Sequence, residues 1–178
     1  MTPVAPRALI AEDEPLLAAA LQQELRAAWP ELQIAATVGD GLSAVQQALA
    51  LQPDVLFFDI RMPGQTGLDA AVALADAWPA HQPFPALVFV TAYDQYAVQA
   101  FEAQAVDYLL KPVQSARLQK TVQKLRLALI HKAQAATNSI ANQSTVALAP
   151  AHTEAHTQAL EPNLQRTVDQ LRHLLAQP

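Results

Sequence analysis

The sequence predicts an α/β protein: a doubly wound, five-stranded parallel sheet covered by helices on both faces, with a helical extension at its C-terminal end. Three observations predict it. Short runs of strand length alternate five times with segments whose apolar residues recur at three and four positions. The short runs are rich in β-branched and aromatic residues. Reactive side chains follow the ends of four of these runs, as expected where a parallel sheet gathers its functional groups at the carboxyl edge.

In chain order, the strands are RALIA (7–11), LQIAATV (32–38), DVLFF (54–58), ALVFV (86–90) and AVDYLL (105–110). The helices between them are PLLAAALQQELRAAW (15–29), GLSAVQQALAL (41–51), GLDAAVALADAW (67–78) and QYAVQAFEA (95–103). A fifth helix, SARLQKTVQKLRLALIHKA, begins at 115. The domain closes near 134. Residues 135–160, without sustained period and rich in Ala, Thr, Gln, Asn and His, read as a linker. Residues 161–178 resume helical spacing, with Pro162 acceptable in the first turn. There LQRTVDQLRHLL matches LQKTVQKLRLAL of the fifth helix at seven of twelve positions. Leu164, Val168, Leu171 and Leu175 thereby repeat the spacing of Leu118, Val122, Leu125 and Leu129. Two readings stand: convergence of Ala- and Gln-rich helices, or a duplicated seam for self-association.

Composition narrows the function. The 178 residues carry a formal net charge of −5, which disfavours the whole chain as a nucleic-acid binder. Five bases and no acid fall within 113–136, and Arg117, Lys120, Lys124, Arg126 and Lys132 read as a solvated helix face. With no cysteine, disulfides and thiolate metal sites are excluded. No stretch suits a signal peptide or a membrane span, so a soluble, cytoplasmic protein without membrane contact is expected. Alanine, about a fifth of the chain, inflates the hydrophobic percentage without informing on core size.

Glu12 and Asp13 follow the first strand, Asp59 the third, Thr91 ends the fourth and Lys111 follows the fifth. Three carboxylates at adjacent strand ends repel one another unless their pKa values rise or a hard cation neutralises them. Oxygen ligands with vacant positions suit Mg²⁺. A carboxylate nucleophile, Mg²⁺, a lysine and a hydroxyl are the parts phosphoryl transfer needs, and they make Asp59 a candidate phosphate acceptor. Structural roles remain beside these: Asp59 as a turn or helix cap, Glu12 and Asp13 as caps for the helix from Pro15, Thr91 as an ordinary strand end, Tyr108 as core.

The blocks AEDEP, FFDIRMPGQTGLDA, VFVTAYDQYAVQAF and VDYLLKPV, in that order at the strand ends, resemble the receiver domain of two-component response regulators over residues 7 to about 131. The last two resemble specifically the LytTR (LytR/AlgR-type) branch of transcriptional regulators. The resemblance implies a flavodoxin-like (βα)5 fold in which Asp59 takes a phosphoryl group from a phosphohistidine of a sensor histidine kinase. Asp13, Asp59 and the backbone carbonyl of Arg61 would ligate Mg²⁺, with Glu12 acting through a water. Lys111 would hold an acyl-phosphate oxygen. Thr91 would move toward the phosphoryl group and let Tyr108 rotate inward. It further implies a cis Lys111–Pro112 peptide, an accessible phosphoryl group beside small Ala92, a homodimer paired through residues 94–110, and a signalling module whose only catalysis is its own phosphorylation and dephosphorylation. An aspartyl phosphatase would need a second acid where Arg61 stands. The non-enzymatic alternative is a phosphorylation-independent dimerisation module with a vestigial pocket. A LytTR regulator continues into a DNA-binding domain, absent here, so DNA contact is expected only through that missing part. The chain is expected to be a fragment ending near an interdomain linker, or else a stand-alone receiver.

Overall fold

The computed structural model describes residues 5–144. Ten elements alternate: β1 (Arg7–Ala11), α1 (Pro15–Ala28), β2 (Gln33–Val38), α2 (Gly41–Leu51), β3 (Val55–Phe58), α3 (Gly67–Ala77), β4 (Ala86–Thr91), α4 (Ala97–Glu102), β5 (Asp107–Leu110) and α5 (Ser115–Ser144). The strands form one parallel sheet in the order β2-β1-β3-β4-β5. The chain runs outward from β1 to β2 and then returns past β1 to β3, so the sheet switches direction between β1 and β3. In doubly wound sheets the carboxyl ends of the strands at such a switch point are where functional groups gather. This is the expected flavodoxin-like fold.

Each strand feeds both faces. On one face Ile10, Phe57, Val88, Val90 and Leu109 pack against Leu21 and Leu25 of α1 and against Leu118, Val122 and Leu125 of α5. On the other, Leu9, Leu56, Phe58, Leu87 and Phe89 pack against Ala44 and Ala48 of α2, Ala70 and Leu74 of α3 and Ala100 of α4. The helix residues on that second face are mostly alanine, and bulky strand residues fill the layer. Burying each large apolar side chain stabilises the fold by about 1.5–3 kcal/mol. The spacing shared by Leu118, Val122 and Leu125 is therefore spent on the domain's own core.

Local signals set the helix starts. Asp40 caps α2 by accepting the Ser43 N–H at 2.8 Å, and Thr66 caps α3 by accepting the Asp69 N–H at 3.1 Å. Pro15 opens α1, where a missing N–H costs nothing. Glu12 and Asp13 do not serve as its N-cap. That position is Glu14, whose side chain makes no capping bond.

Helix α5 continues to Ser144, through residues that the sequence alone assigned to a linker. Ala133, Ala135 and Ala136 are strong helix formers, and propensity prevails there without any apolar period. The chain divides into two compact units, Met1–Ser139 and Ile140–Pro178, and the sheet belongs to the first. Leu164, Val168, Leu171 and Leu175 lie outside the described residues. No helix among the described residues is long and apolar enough to cross a membrane.

Candidate functional site: an acidic pocket at the carboxyl edge of the sheet

Because Ala11 pairs with Phe58, the residues just past β1 and β3 emerge side by side. The Asp59 N–H donates to the Ala11 carbonyl and the Glu12 N–H to the Val38 carbonyl, both at 2.8 Å, so β-pairing carries on to the functional residues themselves. One oxygen from each carboxylate of Glu12, Asp13 and Asp59 falls within 4.8 Å of the others. Glu12 and Asp59 are buried, while Asp13 is exposed at the mouth.

Lys111 follows β5, two strands away from β3, and its long side chain closes the gap. Its Nζ lies 2.7 Å from Asp59 Oδ2 and 2.5 Å from Glu12 Oε2. The Lys111–Pro112 peptide is cis, as the resemblance implies, and the Lys111 N–H donates to the Thr91 carbonyl at 2.9 Å. The other Asp59 oxygen accepts the Ile60 N–H at 2.6 Å and a longer bond from the Arg61 N–H at 3.4 Å.

Three carboxylates against one ammonium leave the pocket short of positive charge. Burial pushes the Glu12 carboxyl above its ordinary range, although the Lys111 hydrogen bond and charge work against that rise. Burial alone would depress Lys111, but hydrogen bonds and charge from Asp59 and Glu12 outweigh it and hold the ammonium above its usual range. An all-oxygen donor set with uncompensated negative charge and one exposed member fits a hard divalent cation.

Thr91, at the end of β4, is fully buried, and its Oγ1 finds no hydrogen-bond partner among the described residues. A buried hydroxyl in that state costs about 1–3 kcal/mol. Tyr108, in β5 beside Phe89, sends its hydroxyl to the Tyr93 carbonyl in the loop after Thr91. The Arg61 guanidinium lies 4.9 Å from the Tyr93 ring centroid, so the loops after β3 and β4 meet above the pocket.

Two features escaped the sequence reading. The first is Gly67, the first residue of α3. A Cβ there would lie 2.0 Å from the Asp59 carbonyl oxygen, so only glycine lets α3 pack against the backbone of the candidate acceptor. The second corrects the assignment of Arg117 and Lys132 to a solvated face, on which Lys120, Lys124 and Arg126 do stand exposed. Arg117 grips buried Asp107 through both terminal nitrogens at 2.8 and 2.5 Å, with the Thr121 hydroxyl at 2.8 Å and Lys124 at 3.2 Å. Arg126 pairs with Glu31 at 3.0 Å, and Lys132 donates to the Phe84 carbonyl. Arg117, Thr121 and Lys124 stand at i, i+4 and i+7, beside the stripe of Leu118, Val122 and Leu125. That spacing could have placed them against the sheet.

Comparison with known proteins agrees with this geometry. The family described as Response regulator receiver domain matches residues 8–123, and the chain belongs to that family. Among curated relatives, an uncharacterized response regulatory protein of Vibrio cholerae is 47% identical over 123 residues, covering 68% of this chain and 45% of the relative. The transcriptional regulatory protein BtsR of Escherichia coli K12 is 45% identical over 123 residues, covering 67% and 48%. The chain thus spans about half the length of the curated relatives it matches. The response regulatory domain of mrkE from Klebsiella pneumoniae superposes with a TM-score of 0.58 at 35% identity, covering 68% of this chain and 96% of that one. The REC domain of AraT, a response regulator from Geobacillus stearothermophilus, does so with 0.64 at 30% identity, covering 71% and 97%. Receiver domains are signalling modules of two-component response regulators.

Proposed function

We propose that Asp59 accepts a phosphoryl group from the phosphohistidine of a sensor histidine kinase, and that acceptance switches self-association controlling a DNA-binding effector of the LytTR branch. One observation carries the reading: a buried aspartate at a strand end holds a lysine hydrogen bond while two further carboxylates crowd the same space. A purely structural aspartate would not be left in that charge deficit.

In the transfer, an Asp59 carboxylate oxygen forms a bond to phosphorus as the P–N bond to the donor imidazole breaks, and the bonding pair stays on the ring nitrogen. Mg²⁺ held by Asp13, Asp59 and the Arg61 carbonyl, with Glu12 acting through a water, would supply the charge neutralisation that positions the phosphoryl oxygens. Lys111 then keeps one phosphoryl oxygen paired. Small Ala92 leaves the group open to the donor. The partnerless Thr91 hydroxyl gains an acceptor in that phosphoryl group, and the hydrogen bond draws β4 and its loop inward. Tyr108 leaves the Tyr93 carbonyl and turns into the space vacated. An added bond of about 1.4 kcal/mol shifts such a two-state equilibrium tenfold.

The face that responds carries exposed Val98, Phe101 and Leu110 on α4 and β5, an apolar surface suited to a second copy of the chain. The kinship with BtsR, whose name describes a transcriptional regulatory protein, supports an effector acting on DNA in the longer protein.

The test is intact-protein mass after incubation with Mg²⁺ and a small-molecule phosphodonor, run beside Asp59→Asn. One added phosphoryl group that requires both Mg²⁺ and Asp59 is the expected result. A folded sample that neither gains mass nor binds Mg²⁺ would instead favour the phosphorylation-independent dimerisation module.

A further inference from the structure

At the edge of the sheet opposite Asp59, where the strands begin, a groove of about 790 Å³ opens. The prolines that precede β1, β3 and β4 line it, with Trp29 after α1, Trp78 after α3 and the middle of α5 around them. Its volume lies within the roughly 300–1,000 Å³ of pockets that hold small organic ligands, and two indoles and exposed Ile130 make it largely apolar.

Among the groove's charged groups, Glu31, Asp54 and Arg126 already hold polar partners. Glu31 pairs with Arg126, whose guanidinium lies 5.4 Å from the centroid of the Trp29 ring. Asp54 accepts the Arg7 N–H at 2.8 Å, and the Trp78 indole N–H donates to the Pro83 carbonyl at 3.2 Å. Lys132, however, reaches only the Phe84 carbonyl, and among the described residues no carboxylate lies within ion-pair distance of it. Burial holds its amine below the usual lysine range, against the opposing charge of Asp54. Lys132 is thus a half-buried cation in a largely apolar groove whose counter-charge, Asp54, lies beyond ion-pair distance.

We propose that this groove binds a small amphipathic anion, its apolar body lying against Trp29 and Trp78 and its carboxylate pairing with the Lys132 ammonium. A neutral ligand would leave Lys132 as it stands. The inference is independent of phosphorylation at Asp59.

The sequence holds two tryptophans and both line the groove, so intrinsic fluorescence reports its occupancy. The full chain is titrated with decanoate and with decan-1-ol, by fluorescence and by calorimetry. Decanoate is expected to bind saturably at one site with a change in tryptophan emission. Loss of one charge-assisted bond predicts weaker binding by about tenfold or more, both for decan-1-ol and for decanoate with Lys132→Gln, while Lys132→Arg stays within about threefold of the native chain. Ile130→Glu, at a position 51% exposed and therefore tolerant, sets an acid beside the site and is expected to abolish decanoate binding. Thermal melting confirms that each variant is folded. Absence of saturable decanoate binding overturns the proposal, as does equal affinity in native, Lys132→Gln and Ile130→Glu chains.

Discussion

Asp59 and Asp107 are both buried aspartates, with side chains 8% and 3% exposed, and they have opposite surroundings. Asp107 has more partners than it needs: two guanidinium nitrogens, the Thr121 hydroxyl, Lys124 and the Tyr108 N–H at 3.0 Å. Asp59 shares one lysine with Glu12 and has Asp13 beside it. Burial alone therefore does not mark a reactive carboxylate. What separates the two is the sign of the leftover charge: the Asp107 cluster sets two cations against one carboxylate and ties β5 to α5, whereas the Asp59 cluster sets three carboxylates against one shared lysine.

Four experiments break or sharpen that contrast. The largest effect is expected from Lys111→Met, which removes the ammonium shared by Asp59 and Glu12. Phosphoryl gain at Asp59 should slow by about 10²–10³-fold, the usual scale for one preorganised charge contact to a transition state, while Mg²⁺ affinity rises because no ammonium competes for Asp59 and Glu12. Stopped-flow phosphorylation and Mg²⁺ titration read both effects. Unchanged phosphorylation in that variant would remove Lys111 from the mechanism.

Gly67→Ala comes next. The added methyl meets the Asp59 backbone, which has no soft side chain to yield, so unfolding free energy should fall by about 3 kcal/mol. Phosphorylation should slow as well, even though no charge changes. Denaturant melts that match the native protein would show that α3 can retreat freely.

Asp107→Asn is expected to cost about 2–3 kcal/mol, below the usual figure for a broken buried pair because Arg117 can turn to solvent. Mg²⁺ affinity should not move. Burial opposes ionisation of Asp107, but the bonds from Arg117, Thr121, the Tyr108 N–H and Lys124 prevail and hold its carboxyl well below the ordinary range. Its stabilisation is therefore complete above the unfolded value of about 4 and disappears as pH falls toward the folded one. Acid unfolding of the native chain should be steeper in this region than that of Asp107→Asn, and superimposable acid curves would contradict the assignment.

The smallest effect is the stabilisation of the intact chain by Mg²⁺, about 1.4 kcal/mol at ten times its dissociation constant. It should be lost in Asp59→Asn and retained in Asp107→Asn. It should also weaken as pH drops through the raised pKa of Glu12, because protonation removes one acid of the cluster.

The sites differ as sharply in how they could be read. Glu12, Asp13, Asp59, Thr91 and Lys111 were visible because a parallel sheet brings its carboxyl ends together, so identifying the strands located the residues after them. Asp107 was hidden inside VDYLL, where it looked like one polar residue in a strand, and Arg117 looked like one charge among five. Gly67 carried no signal, because what fixes it is a backbone contact from a distant strand end. The extent of α5 was misread for a local reason: its last turns have no apolar stripe, and alanine propensity leaves no periodic trace.

The sequence by itself determined the five strand–helix repeats, their order along the chain and the candidate pocket, since periodicity and strand-end position are local properties that survive without neighbours. Tertiary structure decided which charges are satisfied. Whether a carboxylate meets Arg117 and Thr121 or a single shared Lys111 depends on packing between elements far apart in the chain, and local spacing alone did not disclose that difference in partners.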